Sequence, residues 1–489
     1  LNGGILRPVP RARQGFSQGG SNPAAAGGVG NAVNSPLITP PGATNRREFL
    51  KTTGRLAAAS ALAGVALPHV HAAGSDLIQI ALIGCGGRGT GAANQALSTK
   101  GGPTKLVAMA DIFPNKLARS LENLQKEKPE QVDVPKERQF MGLKGYQQAM
   151  ACLRPGDIAI FATPPAFRWV HYAHAIEKGL NVFMEKPITV DAPTSKRMIA
   201  LAAEGDKKNL KAGVGLMVRH CRGRRQLKQR IDDGEIGDLV LMRGYRMQEG
   251  GGTCGRKPAG VSELYFQIQK FHSFLWSGGA IFSDYNIHQV DEVCWMKGSW
   301  PVKAQALGGR HYRGNNVDQN LDTYAVEYTF ADGTSFFFDG RTMPGCHNEF
   351  ASYVHGTKGG AVVSSSSHTP GRVRSFNGHN LIRANQLWAF PQPEPNPYQT
   401  EWDDLVEAIR KNEPYSEVKR GVEASLVTSM GRMAAHTGQV ITWEQMQEVP
   451  HEFAPGLDTY TEESPAPLTP DADGKYPVPE PGRKRDREY

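Results

Sequence analysis

Between Leu77 and Ile83 the chain is apolar at every position but Gln79, over a length too short for a typical helix, and Gly84 ends it. That pattern predicts a buried strand. Gly91–Leu97 follows as a helix-compatible stretch, and Lys105–Ala110 as a second strand leading into Asp111. The alternation continues with a helix over Tyr146–Leu153, a strand over Asp157–Ala162 and the loop Thr163-Pro164-Pro165. A helix over Phe167–Lys178 and a strand over Asn181–Met184 bring the chain to Glu185-Lys186-Pro187. Strands alternating with helices predict a parallel α/β sheet, in which ligands bind beyond the carboxyl ends of the strands.

The second half reads differently. Lys211–Val218 is strand-like and Leu239–Met247 predicts a further strand. Asp322–Phe330 and Thr334–Asp339 flank Ala331-Asp332-Gly333, a hairpin signal, and Phe350–His355 with Ala361–Ser364 forms another pair around a glycine-rich turn. Helices are expected over Trp402–Arg410 and Val422–His436. From about Pro450 the chain turns proline-rich and charged and ends in the basic run Gly482–Tyr489, which predicts a tail that either wraps the domain or stays loose.

Residues 1–43 are rich in Gly, Pro, Ala, Asn and Ser without an apolar period, which predicts disorder. Next come Arg46-Arg47, Phe49-Leu50-Lys51, an Ala-rich run from Leu56 to Leu67, and Val70-His71-Ala72. This ordered set, over 44–73, resembles a twin-arginine signal peptide; its apolar core is too short to span a bilayer comfortably. It implies export to the periplasm or beyond, with no stable membrane insertion after cleavage.

Net charge changes the picture only until it is mapped. The chain carries +8, but the first 72 residues hold seven Lys and Arg against Glu48 alone, so most of the excess leaves with the signal. Nucleic-acid binding thereby loses its main support. Cys85, Cys152, Cys221, Cys254, Cys294 and Cys346 show neither CxxC nor zinc spacing, so neither a metal site nor a disulfide framework is expected.

The candidate chemistry begins at Gly84-Cys85-Gly86-Gly87-Arg88-Gly89, directly after the first strand. In such a loop the first glycine makes the tight turn and the second admits a pyrophosphate to backbone N–H groups. The third lets the following helix pack close, and that helix points its N-terminus at the anion. Asp111, 22 residues past Gly89, stands where a carboxylate accepts hydrogen bonds from the ribose of NAD and repels the extra phosphate of NADP. Lys116 and Arg119 are near enough in sequence to leave NADP open. The expected fold is therefore a Rossmann dinucleotide-binding domain over 76–200, then a C-terminal α/β domain on a largely antiparallel open sheet over 201–449, and the tail over 450–489.

The glycine loop, Ala162-Thr163-Pro164-Pro165, Glu185-Lys186-Pro187 and Gly278-Gly279…Asp284-Tyr285-Asn286-Ile287-His288-Gln289-Val290-Asp291 together resemble the Gfo/Idh/MocA oxidoreductase family, across about 76–445. The resemblance implies a catalytic set of Lys186, Asp284 and His288. It also implies a cofactor site including Gly84, Gly86, Gly87, Arg88, Gly89, Asp111, Thr163, Pro164, Glu185 and Lys186. Lys186, Asp284 and His288 would also bind substrate, and Arg219 is added as a further contact. The residue types suit those roles. Asp284 and His288, four apart, share a helical face; a neutral imidazole can take a hydroxyl proton; a lysine can stabilise developing alkoxide character. The family often has Gly where this chain has Asn286, a residue that tolerates positive φ, so a turn there is expected to survive.

The family implies a homo-oligomer and a carbohydrate or polyol substrate. An exported enzyme of this kind would carry its NAD out with it and regenerate it in the same site. One route oxidises a sugar hydroxyl and reduces a second carbonyl. Another oxidises a glycoside transiently, eliminates the aglycone and reduces again, as related NAD-dependent glycosidases do; those carry a different residue at the position of Lys186, which favours the oxidoreductase. A non-catalytic binding protein on the same fold is the third reading, and the retained Lys186, Asp284 and His288 argue against it.

Overall fold

The computed structural model describes residues 76–489, so the extension over 1–43 and the signal segment over 44–73 lie outside the described residues. The first sheet holds β1 (Ile78–Ile83), β2 (Thr104–Asp111), β3 (Gln139–Met141), β4 (Ile158–Phe161), β5 (Asn181–Met184) and β6 (Ala212–Val214). Every neighbouring pair is parallel, in the order β3-β2-β1-β4-β5-β6. Helices α1 (Gly87–Leu97), α2 (Pro114–Glu127), α3 (Gly145–Ala151), α4 (Arg168–Glu177) and α5 (Ala192–Lys207) connect the strands.

The near-continuous apolar run of β1 follows from burial on both faces. Ala81 and Ile83 join a core with Tyr146 of α3 and Tyr172 of α4, whereas Ile80 and Leu82 join one with Ala92 of α1 and Leu117 of α2. β1 is flanked by β2 on one side and β4 on the other, which opens a crevice at the carboxyl ends of these strands, where connections leave in opposite directions.

The second sheet has nine strands: β7 (Leu239–Gln248), β8 (Lys303–Gly309), β9 (Thr323–Thr329), β10 (Ser335–Thr342), β11 (Glu349–Gly356), β12 (Gly359–Ser365), β13 (Arg374–Asn377), β14 (Gln386–Ala389) and β15 (Ile441–Thr442). It is antiparallel except where β7 pairs with β10. The helices of this half are α6 (Arg222–Asp232), α7 (Glu263–Gln269), α8 (Leu275–Gly278), α9 (Ala280–Lys297), α10 (Pro397–Lys411), α11 (Val418–Thr437) and α12 (Trp443–Glu448). Alternation along β9 and β10 turns Val326, Tyr328, Phe336 and Phe338 inward, into a core shared with Phe282 and Val290 of α9 and Val427 of α11. That places α9 between sheet and crevice.

Three expectations need adjusting, and an alternative left open for the tail is decided. The strand foreseen over Lys211–Val218 is only Ala212–Val214, and it completes the first sheet, so the first domain runs past residue 200. Helix α10 belongs by packing to the first domain: Trp402, Leu405 and Val406 share a core with Ile80 and Leu82, and Trp402 stacks on Phe183 at 4.4 Å. Truncating so deeply buried an indole typically costs about 3–5 kcal/mol. Asn286 needs no special turn; it lies buried inside regular α9, and positive φ falls instead at Gly279 and Ala280, where that helix begins. The tail wraps: Phe453, Leu457, Leu468 and Tyr476 are buried in one core with Phe274 and Trp276.

Candidate active site

A cavity of about 570 Å³ opens at the carboxyl ends of β1, β2, β4 and β5 and is lined by all five residues taken from the glycine loop. Gly84 has φ +96°, and a Cβ there would lie 2.6 Å from the Ala162 carbonyl carbon. A Cβ on Gly89 would meet the Gly84 oxygen at 2.0 Å, so both glycines are demanded by close backbone approach. At Gly86 and Gly87 a Cβ would meet no atom within 4 Å. They leave open space at the start of α1, whose N-cap, Gly86, supplies no side-chain cap. Bare N–H groups at a helix N-terminus beside an empty concavity fit a pyrophosphate.

Asp111 stands at the end of β2 in the same cavity. Its oxygens accept from Cys85 N at 2.6 Å and Phe113 N at 2.8 Å, which braces the glycine loop and leaves lone pairs for ribose hydroxyls. Burial pushes its pKa up, partly offset by those two hydrogen bonds. These residues fit NAD.

The sequence-predicted residues of the next two loops reach the same space. Thr163, Pro164, Glu185 and Lys186 all line it. Arg168, which the sequence did not mark, ties the loops together: its guanidinium donates to the carbonyls of Thr163 and Pro187, and burial lowers its pKa to about 10. Arg88 turns sideways. Nε donates to Glu185 at 2.6 Å, Nη2 to Gln95 at 2.6 Å, and the guanidinium lies 4.9 Å from the Tyr398 ring. Glu185 is thus a positioning residue for Arg88, and Tyr398 of α10 supplies part of the wall.

Helix α9 delivers Asp284 and His288 to the far wall, each 5% exposed, and Lys186 reaches across from the first domain. Lys186 Nζ donates to the Asp284 carbonyl at 2.6 Å and stands 3.3 Å from its Oδ1; His272 Nδ1 is 2.8 Å from Oδ2. Burial alone would raise the Asp284 pKa, but Lys186 and His272 outweigh it and hold the carboxylate well below its usual range. Burial, reinforced by Lys186 and Arg246, pushes the His288 imidazole well below its ordinary value, so it is neutral at pH 7. Such an imidazole can accept a proton, and the adjacent ammonium can stabilise negative charge on oxygen.

Arg219 departs from expectation. It does not line the cavity; it forms a two-pronged ion pair with buried Asp291, 2.7 Å from Nη2 and 2.9 Å from Nε, between Trp295 and Trp300. A buried carboxylate on α9 captured it, and its role is structural. Conversely, Arg246, His272, His368 and Tyr398 line the cavity without having been foreseen. They sit on a strand, a short turn, a serine-rich loop and a distant helix start, and no local spacing marks them.

Residues 78–213 match the family described as oxidoreductases with an NAD-binding Rossmann fold, and residues 224–362 match the GFO/IDH/MocA C-terminal domain. An inositol 2-dehydrogenase of Corynebacterium glutamicum is 28% identical over 149 residues, 30% of this chain and 37% of that protein. The scyllo-inositol 2-dehydrogenase (NAD(+)) of Bacillus subtilis is 26% identical over 231 residues, 46% of this chain and 61% of that protein. The chain thus spans less than two thirds of the length of these relatives. Scyllo-inositol dehydrogenase from Lactobacillus casei, solved with NAD(H) and scyllo-inositol, has the same fold, with a TM-score of 0.54 and 21% identity over 75% of this chain and 99% of that one. The chain belongs to the GFO/IDH/MocA family of oxidoreductases with an NAD-binding Rossmann fold.

Proposed function

We propose that the protein oxidises a secondary hydroxyl of a sugar or cyclitol, reversibly, with NAD. The observation that carries this reading is the convergence of Lys186, Asp284 and neutral His288 on the cavity that also holds the glycine cradle and Asp111. The inositol dehydrogenases of C. glutamicum and B. subtilis point to the same substrate class.

When bound, NAD supplies the hydride acceptor. The chain's own residues handle the proton and the charge. His288 Nδ1 is buried without a partner and no protein group bonds Nε2 among the described residues, so Nε2 is the atom that takes the hydroxyl proton. Lys186, fixed by the Asp284 carbonyl and carboxylate, faces the substrate oxygen and stabilises it as its proton leaves. Asp284 is a positioning group: its carboxylate stands 3.3 Å from Lys186 Nζ and 2.8 Å from His272 Nδ1 and fixes both side chains.

Export through the twin-arginine route belongs to this proposal, and with it a captive cofactor, since a folded protein leaving the cytoplasm has no assured nicotinamide supply outside. Homo-oligomerisation through the outer face of the second sheet is supported by exposed Leu307 and Phe337 on adjacent rows; light scattering would test it.

The first experiment takes the chain from Ala73, folded in the cytoplasm and purified without added nucleotide. Denaturation and chromatography of the supernatant are expected to release near-stoichiometric NAD(H). An empty protein that binds added NAD would remove captivity but keep the oxidoreductase. A protein that binds no dinucleotide would overturn both. A cyclitol and sugar panel followed at 340 nm, with aryl glycosides scored for aglycone release, then separates net oxidation from net hydrolysis.

A further inference from the structure

The charges lining the cavity do not balance at its substrate end, and Arg246 is the reason. Arg88 is matched by Glu185 at 2.6 Å, and Lys186 by Asp284 at 3.3 Å. Arg168 delivers its donors to two backbone carbonyls. Arg246, on β7, lines the same cavity beside Asp284, Tyr285 and His288, yet no carboxylate lies within 4.0 Å of its nitrogens among the described residues.

Its protein partners are neutral. Nε donates to Gln248 Oε1 at 3.0 Å and Nη1 to His368 Nε2 at 3.3 Å, while Nη2 has no protein acceptor among the described residues. His368 is kept neutral by burial, with His288 and Arg246 pushing the same way. The guanidinium lies 4.1 Å from the Phe350 ring and 5.8 Å from Tyr285, so it is held in place from the side. A guanidinium held at Nε and Nη1, with Nη2 left free at the cavity, can donate charge-assisted hydrogen bonds from Nη2 to an anion.

We propose that the substrate is an acidic sugar, a uronate or related polyhydroxy acid, whose carboxylate binds Arg246 while its hydroxyl faces Lys186 and His288. This rests on the oxidoreductase reading above and narrows its substrate. A single guanidinium with one nitrogen free suits a monoanion; a sugar phosphate, carrying about −1.5 to −2 at pH 7, asks for a second cation beside it, and Lys186 is already committed to Asp284.

The test uses NAD-loaded protein and matched probes: glucuronate against glucose, galacturonate against galactose, and glucose 6-phosphate, read as initial rates of NAD reduction at 340 nm, as single turnovers where the NAD is captive. Each acid is expected to exceed its neutral partner at least tenfold in kcat/KM, mainly through KM. Added sodium chloride should raise KM for the acids and not for the neutral sugars. Arg246→Gln should bring the ratio towards one, and Arg246→Lys, which keeps the charge, should recover part of it. Equal or better use of the neutral sugars, or a ratio unmoved by Arg246→Gln, would overturn the assignment; preference for glucose 6-phosphate would replace the carboxylate with a phosphate. If no probe is oxidised, the dehydrogenase reading passes to the cyclitol and sugar panel and is judged apart from the anion site. Calorimetry of glucuronate on the NAD-loaded protein then decides the anion site: binding lost in Arg246→Gln sustains it, and no binding by the wild type ends it. Should Arg246→Gln not fold, the Arg246→Lys ratio and the wild-type salt dependence decide the matter.

Discussion

Glu488, one residue from the end of the sequence, is bound at both carboxylate oxygens by Arg432 of α11, at 2.8 Å from Nε and 2.8 Å from Nη2. Arg432 Nη1 also donates to Ser283 Oγ at 2.8 Å and to the Gly279 carbonyl at 3.1 Å, the first turn of the helix that carries Asp284 and His288. The tail is thereby coupled to the footing of the catalytic helix. His436 completes the clasp, with Nδ1 2.7 Å from Glu488 and Nε2 2.9 Å from the Tyr324 hydroxyl.

Glu488→Ala should destabilise the protein by about 3–5 kcal/mol, because it leaves the Arg432 guanidinium buried without its counter-charge. Burial would raise Glu488, but Arg432 and His436 hold it down at about 2. Its contribution is therefore complete above the unfolded carboxylate value of about 4.3 and is lost as pH falls from there towards 2. Denaturation midpoints across pH 2–7 for wild type and Glu488→Gln should converge at the acid end; parallel curves would refute the clasp.

Glu401 behaves in the opposite sense. Both its oxygens are buried without a partner among the described residues, and burial, then the charge of Glu185, pushes its pKa well above the ordinary value. A raised carboxyl costs stability progressively as pH rises above about 4.3, where the unfolded chain ionises freely. Glu401→Gln, a neutral isostere, should raise the melting temperature at pH 7 and change little at pH 4. A lower melting temperature at pH 7 would show the charged form to be required.

His288→Ala should reduce kcat by about 10²–10⁴-fold while leaving NAD affinity nearly intact, the signature of a lost general base. A base is active when deprotonated, and this one titrates well below the ordinary histidine value of about 6.5. Activity should hold through pH 6 and fall only at more acid pH. A wild-type profile with its acid limb near 6.5 or above would contradict the burial argument.

Asp111→Asn should weaken NAD binding by about ten- to a hundredfold, from the loss of charge-assisted hydrogen bonds worth about 1.5–3 kcal/mol. NADP should be affected far less, since a repulsive charge goes with them. Fluorescence titration of both dinucleotides checks this, and equal losses would assign Asp111 only to bracing Cys85.

The first sheet was legible because its information is local. A β1 buried on both faces needs an apolar run, and a loop packed so closely that a Cβ would fall within 3 Å of a neighbouring backbone atom excludes any residue but glycine, so Gly84 and Gly89 announce the loop by themselves. Asp284 and His288 were legible for a similar reason: one helix places residues four apart on one face. What folding alone decided depends on which distant groups meet. Arg219 and Arg246 look alike in sequence, but the first finds the Asp291 carboxylate and is spent on structure, while the second finds only neutral acceptors in Gln248 and His368 and keeps Nη2 free at the cavity. The return of α10 onto the first domain and the burial of Glu488 are of the same kind. A side chain's charge is written in the sequence; whether that charge is already satisfied is a property of its neighbours in space, and Asp291, His368 and Glu488 come from segments more than fifty residues away from the arginines they meet.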